Sequence, residues 1–176
     1  MAFFETLKYD AIKKDGPIEI RRYDSFLLAS TKTRKNSSQD SGFRNVFNYI
    51  SGNNEQDKKL SMTTPVVTYE EKESLVTGFY ISKKYTNDTV PKPSSSEVFI
   101  HELKPSLYAV IRFRGQWTNK NFDKHDKMLR EYLNTHDYEV QSSRLIMRYQ
   151  PPFMPGIFRR NEIAYQINDG AFEPSK

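Results

Sequence analysis

Ile18-Glu19-Ile20-Arg21-Arg22-Tyr23, followed after Asp24 by Ser25-Phe26-Leu27-Leu28-Ala29-Ser30-Thr31-Lys32-Thr33-Arg34, alternates apolar and polar residues with the two-residue period of β-strands. The pattern returns at Val98 to His101 and Leu107 to Arg114. Ile20/Ile100, Ala29/Ala109, Lys32/Arg112 and Arg34/Arg114 each stand 80 positions apart. Both strand regions lead into a helical pattern. In the first, Phe43, Val46, Phe47 and Ile50 fall at i, i+3, i+4 and i+7, with Ser41 placed to cap the start and Gly52-Asn53-Asn54 placed to end it. The second runs from about Thr118 to Thr135. Each helix precedes two β-rich runs: Leu60 to Thr68 and Thr77 to Lys83 around the charged turn Glu70-Glu71-Lys72-Glu73-Ser74, then Arg144 to Tyr149 and Glu162 to Ile167. Asn87 to Ser96, with two prolines and three serines, is the linker. Strand, helix and hairpin thus occur twice. One such unit cannot bury its sheet alone, so the order predicts an α+β fold: duplicated halves forming a curved antiparallel sheet or barrel, flanked by two helices, with a concavity between them.

The 176 residues suit a single domain, 1–176, with pseudo-repeats at about 8–86 and 97–168. With 36% hydrophobic residues, 12 Phe and 11 Tyr, the chain can build a core despite 28% charged residues. The absence of cysteine excludes disulfides, thiolate zinc sites, iron–sulfur clusters and cysteine nucleophiles. No apolar run reaches membrane-spanning length, and Met1-Ala2-Phe3-Phe4-Glu5 meets an acid too early for a signal segment, so a soluble, cytoplasmic protein without stable membrane insertion is expected. The net charge of +5 is a weak pointer to an anionic partner. The basic residues are spread along the chain with no reading helix, so nucleic acid is not the expected partner.

His101, His125 and His136 fit no metal-site spacing, and no metal ligand is assigned. Lys32/Arg34 and Arg112/Arg114 each project from one strand face. They are either solvent-facing cations that keep sheet edges soluble or, if that face lines the cavity, an anion site. Glu162 shares a face with Ala164 and Gln166 and is either an ion-pair member beneath Arg159-Arg160 or a general base. No glycine-rich phosphate loop, nucleophile elbow or diagnostic carboxylate pair occurs, so no catalytic residue is assigned. Pro151-Pro152-Phe153-Met154-Pro155-Gly156-Ile157-Phe158 reads as a stiff apolar loop, a wall or lid.

Several motifs occur in order: Ile20-Arg21-Arg22-Tyr23, Tyr49-Ile50-Ser51-Gly52-Asn53-Asn54, Met62-Thr63-Thr64-Pro65-Val66, Phe113-Arg114-Gly115-Gln116-Trp117-Thr118, and Pro151-Pro152-Phe153-Met154-Pro155-Gly156 leading to Arg159-Arg160-Asn161-Glu162. With that order and spacing, residues 8 to 168 resemble the SOUL family of haem-binding proteins. The resemblance implies duplicated βαββ-type halves in a distorted antiparallel β-barrel with two helices, related to effector-binding domains of the GyrI type. It also implies non-covalent binding of haem or another tetrapyrrole in a shallow apolar groove between the first helix and the proline loop. The matching positions are Phe43, Arg44, Phe47 and Asn48 on the helix and Phe153 and Met154 on the loop, with Arg44 or Arg159 at the propionates. No histidine precedes His101, so an N-terminal axial ligand is absent. His125, which flanks the apolar stripe Phe122, Leu129, Tyr132 and Leu133, stands as a hydrogen-bonded boundary residue or an axial ligand. The expected function is a monomeric, non-catalytic haem carrier or buffer, with room for a protein partner at the groove. The alternatives are a small-molecule effector or sensor module, or an enzyme using Glu162 as base.

Overall fold

The computed structural model describes residues 4–36 and 39–168; Met1 to Phe3, on which part of the N-terminal reading rests, lie outside them, as does the end of the expected 1–176 domain. In chain order the elements are β1 (Glu5–Thr6), β2 (Asp10–Asp15), β3 (Ile18–Tyr23), β4 (Phe26–Arg34), α1 (Gln39–Ile50), β5 (Thr63–Thr64), β6 (Val66–Glu71), β7 (Ser74–Tyr80), β8 (Val98–Leu103), β9 (Ser106–Arg114), α2 (Asn119–Thr135), β10 (Leu145–Arg148) and β11 (Arg160–Ile167). They form two compact units, the first made of Met1–Leu7 with Ser25–Lys104, the second of Lys8–Asp24 with Pro105–Lys176.

In the first unit β6, β7, β4 and β8 pair antiparallel in that order, and β1 lies parallel to β5. Leu27 and Ala29 of β4 turn one way and meet Val46, Tyr49 and Ile50 of α1, with Phe79, Ile81 and Val98 completing the core. Gly42 lets α1 approach the sheet, since a Cβ there would lie 2.7 Å from Thr77 Oγ1. The helix ends where expected. Gly52 adopts φ 120°, its N–H returns to the Tyr49 carbonyl, and Asn54 donates to the Tyr49 and Lys58 carbonyls. The start differs: α1 begins at Gln39, so Ser41 is inside the helix and does not cap it. The proline-rich linker is tied down, with the Tyr49 hydroxyl donating to the Pro91 carbonyl at 2.6 Å.

In the second unit the order is β2, β3, β9, β11, β10, again antiparallel. Thr118 caps α2, its hydroxyl accepting from the Asn121 N–H at 3.2 Å. Phe122, Leu129 and Leu133 pack on Ile20, Ala109, Ile111 and Ile163. Strand β2 has no counterpart in the sequence pattern. Its six residues are all exposed and carry four charges, so the two-residue alternation that marks a half-buried strand is absent.

Each unit draws on both sequence halves. Strand β3 pairs with β9, placing Ile20 opposite Ala109 and Tyr23 opposite Ser106. Strand β8 pairs with β4, placing Ile100 opposite Ala29 and Leu103 opposite Phe26. Adding 80 to β3 and β4 gives β8 and β9, so the two pairings are the same register with the first strands exchanged between halves. The α+β expectation of two sheet-and-helix repeats is the observed fold; the exchange is what the linear order did not display.

Because β3 is integral to the second unit's core, Ile20→Ala should cost about 2–5 kcal/mol, comparable with Ile163→Ala in the sequence half that supplies most of that unit. Urea unfolding of both variants checks this, and a cost for Ile20→Ala near that of a surface substitution would contradict the pairing.

Candidate functional site

The first candidate surface is the outer face of α1. Helical spacing places Phe43 and Phe47 one turn apart, and their rings stack at 5.7 Å with an interplanar angle of 14°. Phe43 is held from beneath by Phe79, 5.0 Å away, whereas Phe47 is 45% exposed. Arg44 and Asn48 are exposed on the same helix. The first unit therefore presents an anchored aromatic ring with a cation and an amide next to it in sequence, a donor set that suits a flat apolar ligand carrying carboxylates.

The second candidate surface, in the other unit, is the loop between β10 and β11. Phe153 is 86% exposed, Ile157 70% and Phe158 56%, while Met154 is half-buried. This exposure coexists with a fixed backbone. The Arg159 guanidinium donates from Nε to the Met154 carbonyl at 2.8 Å and from a terminal nitrogen to the Pro152 carbonyl at 2.5 Å. A 3-10 turn spans Gly156–Phe158, and the Gly115 N–H donates to the Gly156 carbonyl at 3.1 Å. Gly156 must be small, because a Cβ there would sit 2.7 Å from Gln116 Cγ. Arg159 also lies 4.3 Å from the Trp117 ring centroid, and Trp117 donates to Asn161 Oδ1 at 2.8 Å. The residue expected to meet propionates thus already holds its own loop. Arg44 carries no such commitment among the described contacts.

Glu162 lies on the other face of β11 from the α2 core and is fully buried. Arg21 grips it with a bidentate pair of hydrogen bonds at 2.8 and 2.9 Å, Arg160 donates at 2.8 and 3.1 Å, and the Tyr149 hydroxyl donates at 2.7 Å. Arg21 is held in turn by Glu19 at 2.7 Å, by Tyr23 at 3.0 Å and by the Tyr9 ring 3.9 Å below it. Burial pushes the Glu162 carboxyl up, but the hydrogen bonds and charges of Arg21, then Arg160 and Tyr149, outweigh it and hold the group below its ordinary 4.5. Burial likewise works against the Arg21 charge and is overcome by Glu162, leaving the guanidinium above its usual range. A carboxylate so stabilised is a poor proton acceptor, so of the two readings of Glu162 the ion-pair member is the one observed.

The histidines separate. His125 stacks on Phe113 with centroids 4.0 Å apart, and its Nδ1 meets the Asn121 carbonyl at 2.8 Å. A carbonyl only accepts, so Nδ1 carries a proton in this contact. His136 forms the same bond to the Tyr132 carbonyl at the end of α2. His101 meets Ser30 Oγ at 3.1 Å, and burial lowers its pKa. Among the described residues no group of three or more His, Asp or Glu is placed to hold a metal ion. Lys32, Arg34, Arg112 and Arg114 are exposed, and Lys32 pairs with Glu71 at 2.5 Å.

Two features escaped the sequence reading. Arg148, on a strand that reads as plain β, is half-buried 5.1 Å from the Trp117 centroid and 5.6 Å from that of Phe122, and burial lowers its pKa to about 10. A recess of about 360 Å³ opens in the first unit, lined by Lys32, Ser96, Glu97 and Phe99. Only the β4–β8 register brings Lys32 to Phe99, so no local motif could signal it.

The family described as SOUL heme-binding protein matches residues 4–166. Heme-binding protein 2 of Homo sapiens is 34% identical over 116 residues, covering 60% of this chain and 56% of that protein, so the match spans little more than half of the relative. Among solved structures, the EcmrR C-terminal domain superposes with a TM-score of 0.64 at 9% identity, covering 91% of this chain and 98% of that one. A hydrolase from Listeria innocua gives 0.62 at 7% identity, covering 89% and 94%. At such identities the likeness is one of fold, and it supports the α+β architecture described above.

Removing the carboxylate while keeping its shape should expose the strength of the buried cluster. Glu162→Gln leaves Arg21 without its counter-charge and should cost about 3–5 kcal/mol at neutral pH. Because the folded carboxyl titrates below its ordinary 4.5, its stabilisation is fully present above that pH and is lost as the pH falls through the folded value. The stability difference between wild type and Glu162→Gln in denaturant titrations should therefore narrow in acid; a constant difference would contradict the assignment.

Proposed function

We propose, from the premise that this chain belongs to the SOUL heme-binding protein family, that it is a non-catalytic haem or tetrapyrrole carrier or buffer. The observation that carries the reading is Phe47, an aromatic side chain left 45% exposed yet stacked on a buried-side partner, with Arg44 and Asn48 beside it on α1. A porphyrin face gains by covering such a ring, and a propionate gains a charge-assisted hydrogen bond from Arg44. On the loop, Phe153 and Met154 offer apolar contact, and Arg159 serves by fixing their backbone as much as by its charge. Haem would bring redox-active iron, and the residues named here would hold its periphery. The reading needs no protein ligand to the iron; the side chains that could serve as one are His125, whose Nδ1 is held by the Asn121 carbonyl, or a methionine. The non-catalytic part of the reading is supported by the one buried carboxylate among the described residues being consumed in ion pairs.

A second reading, a small-molecule effector or sensor module, draws on the recess of about 360 Å³ beside Lys32 and Phe99, a volume in the range of small-ligand sites. Thermal stabilisation by non-porphyrin ligands, with hemin silent, would favour it.

Titration with hemin and with iron-free protoporphyrin, followed by the Soret band and by quenching of Trp117, the sole tryptophan, tests the carrier reading. Saturable binding of both at micromolar concentration or tighter is expected. Arg44→Ala should weaken hemin roughly tenfold or more, the loss of one charge-assisted hydrogen bond. Unchanged affinity would remove Arg44 from the propionates, and failure of both ligands to bind would overturn the carrier reading. A sharp low-spin spectrum with hemin, abolished in His125→Ala, would assign the axial ligand.

A further inference from the structure

The exposed side chains of the β10–β11 loop are more apolar than haem contact by Phe153 and Met154 requires. Ile157 and Phe158 extend the surface to 70% and 56% exposure at two further positions, within a six-residue stretch containing Phe153. Nothing about the loop's own stability calls for this. Its backbone is pinned by Arg159, by the Gly115–Gly156 hydrogen bond and by the 3-10 turn, none of which uses the Ile157 or Phe158 side chain.

The charge around the loop is one-sided. From Val140 to Asn161 the chain contains four arginines and no acid, and from Ser106 to Phe122 it contains Arg112, Arg114 and Lys120 and no acid. These two segments meet at Gly115 and Gly156, and Arg160 stands opposite Arg114 in the β11–β9 register. Two of the cations are answered by nearby carboxylates, Arg144 by Asp123 at 3.2 Å and Arg160 by Glu162. Arg112, Arg114 and Lys120 are exposed. A stiff apolar tip rising from a cationic base matches the chemistry of an anionic lipid surface, where rings and branched side chains enter the headgroup–acyl boundary and cations meet phosphates.

We propose that the Phe153–Phe158 loop docks this protein reversibly on membranes containing anionic lipid, with Phe153, Ile157 and Phe158 entering the interface and Arg112, Arg114 and Lys120 supplying the attraction. The interaction is peripheral: no helix among the described residues is long and apolar enough to cross a membrane. The proposal shares Phe153 with the haem reading and stands apart from it at Ile157 and Phe158, to which no haem contact is assigned. A pinned loop also loses little conformational freedom on docking, so apolar transfer and charge both go into affinity.

The test uses the full chain without haem and vesicles of phosphatidylcholine alone or doped with phosphatidylserine. Co-sedimentation should occur with the doped vesicles, fall as salt is raised, and be accompanied by quenching of Trp117 by brominated lipid. Ile157→Ser combined with Phe158→Ser, both exposed and outside the residues assigned to haem, should lower partitioning by about tenfold or more with an unchanged melting temperature. Arg114→Glu should lower binding only to the doped vesicles. Equal binding to both vesicle types, or undiminished binding by the double variant, would overturn the proposal. So would absence of vesicle binding together with concentration-dependent self-association lost in the double variant, which would identify the loop as a protein contact. Hemin titration of the same double variant keeps the two readings apart, because its hemin affinity should not change with its vesicle affinity.

Discussion

Arg21 and Glu162, 141 residues apart in sequence, meet as a fully buried bidentate pair inside the second unit. A buried pair of this kind costs heavily in desolvation and is weak evidence for net stability, since an apolar replacement of equal volume can serve as well. Its effect is on uniqueness. Strand β3 carries Ile18 and Ile20 toward α2 and Glu19, Arg21 and Tyr23 to the opposite face. A one-residue slip would put the Arg21 charge against Leu129 and Ile163 and leave Glu162 buried with only part of its counter-charge. The pair therefore fixes β3 against β9 and β11 in the one register that satisfies both groups. Tyr9, Tyr23, Tyr149 and Arg160 close around it so that the remaining donors and lone pairs are used.

That register is also where the exchange of strands between sequence halves is decided. Local pattern reveals β3 and β8 as strands but is silent on the partner of each, because strand pairing is a long-range property. What was legible was the 80-residue offset; it predicts two equivalent pairings and leaves open whether each is made within a half or across halves. The α1 stop was legible for a local reason, since Gly52 supplies the positive φ and Asn54 satisfies the Tyr49 carbonyl. Strand β2 was not, because an edge strand with no buried face carries no hydrophobic period.

The candidate surfaces divide in the same way. Phe43 and Phe47 could be placed together from helical spacing, and the proline loop could be read as stiff. Which of its apolar side chains face solvent depends on the grip of Arg159 on two carbonyls and on the close approach of Gly156 to Gln116, and neither has a local signature. The same grip explains why Arg159 reads in sequence as a free basic residue and acts in the fold as a fastener. Arg148 is a similar case: its charge suggests surface, but the aromatic walls of Trp117 and Phe122 accept its guanidinium, and burial lowers its pKa as a consequence.

The duplicated frame makes it possible to ask what happens when the central pair is removed. At the position equivalent to Arg21 the first unit has His101. The β4–β7 and β9–β11 registers place Val76 opposite Lys32 as Glu162 stands opposite Arg112, so Val76 occupies the place of Glu162. The two halves of the ion pair are thus absent together. At half-buried position 101 stands a histidine whose pKa is lowered by burial and which meets the Ser30 hydroxyl at 3.1 Å. The half-buried Phe99 beside His101 takes the place of Glu19, and next to it lies the recess of about 360 Å³. In one copy of the frame the face opposite the helix is closed by five charged and aromatic side chains locked around a carboxylate. In the other, the same positions carry Val76, His101 and Phe99, and the ion pair beside them, Lys32 with Glu71, is exposed instead of buried.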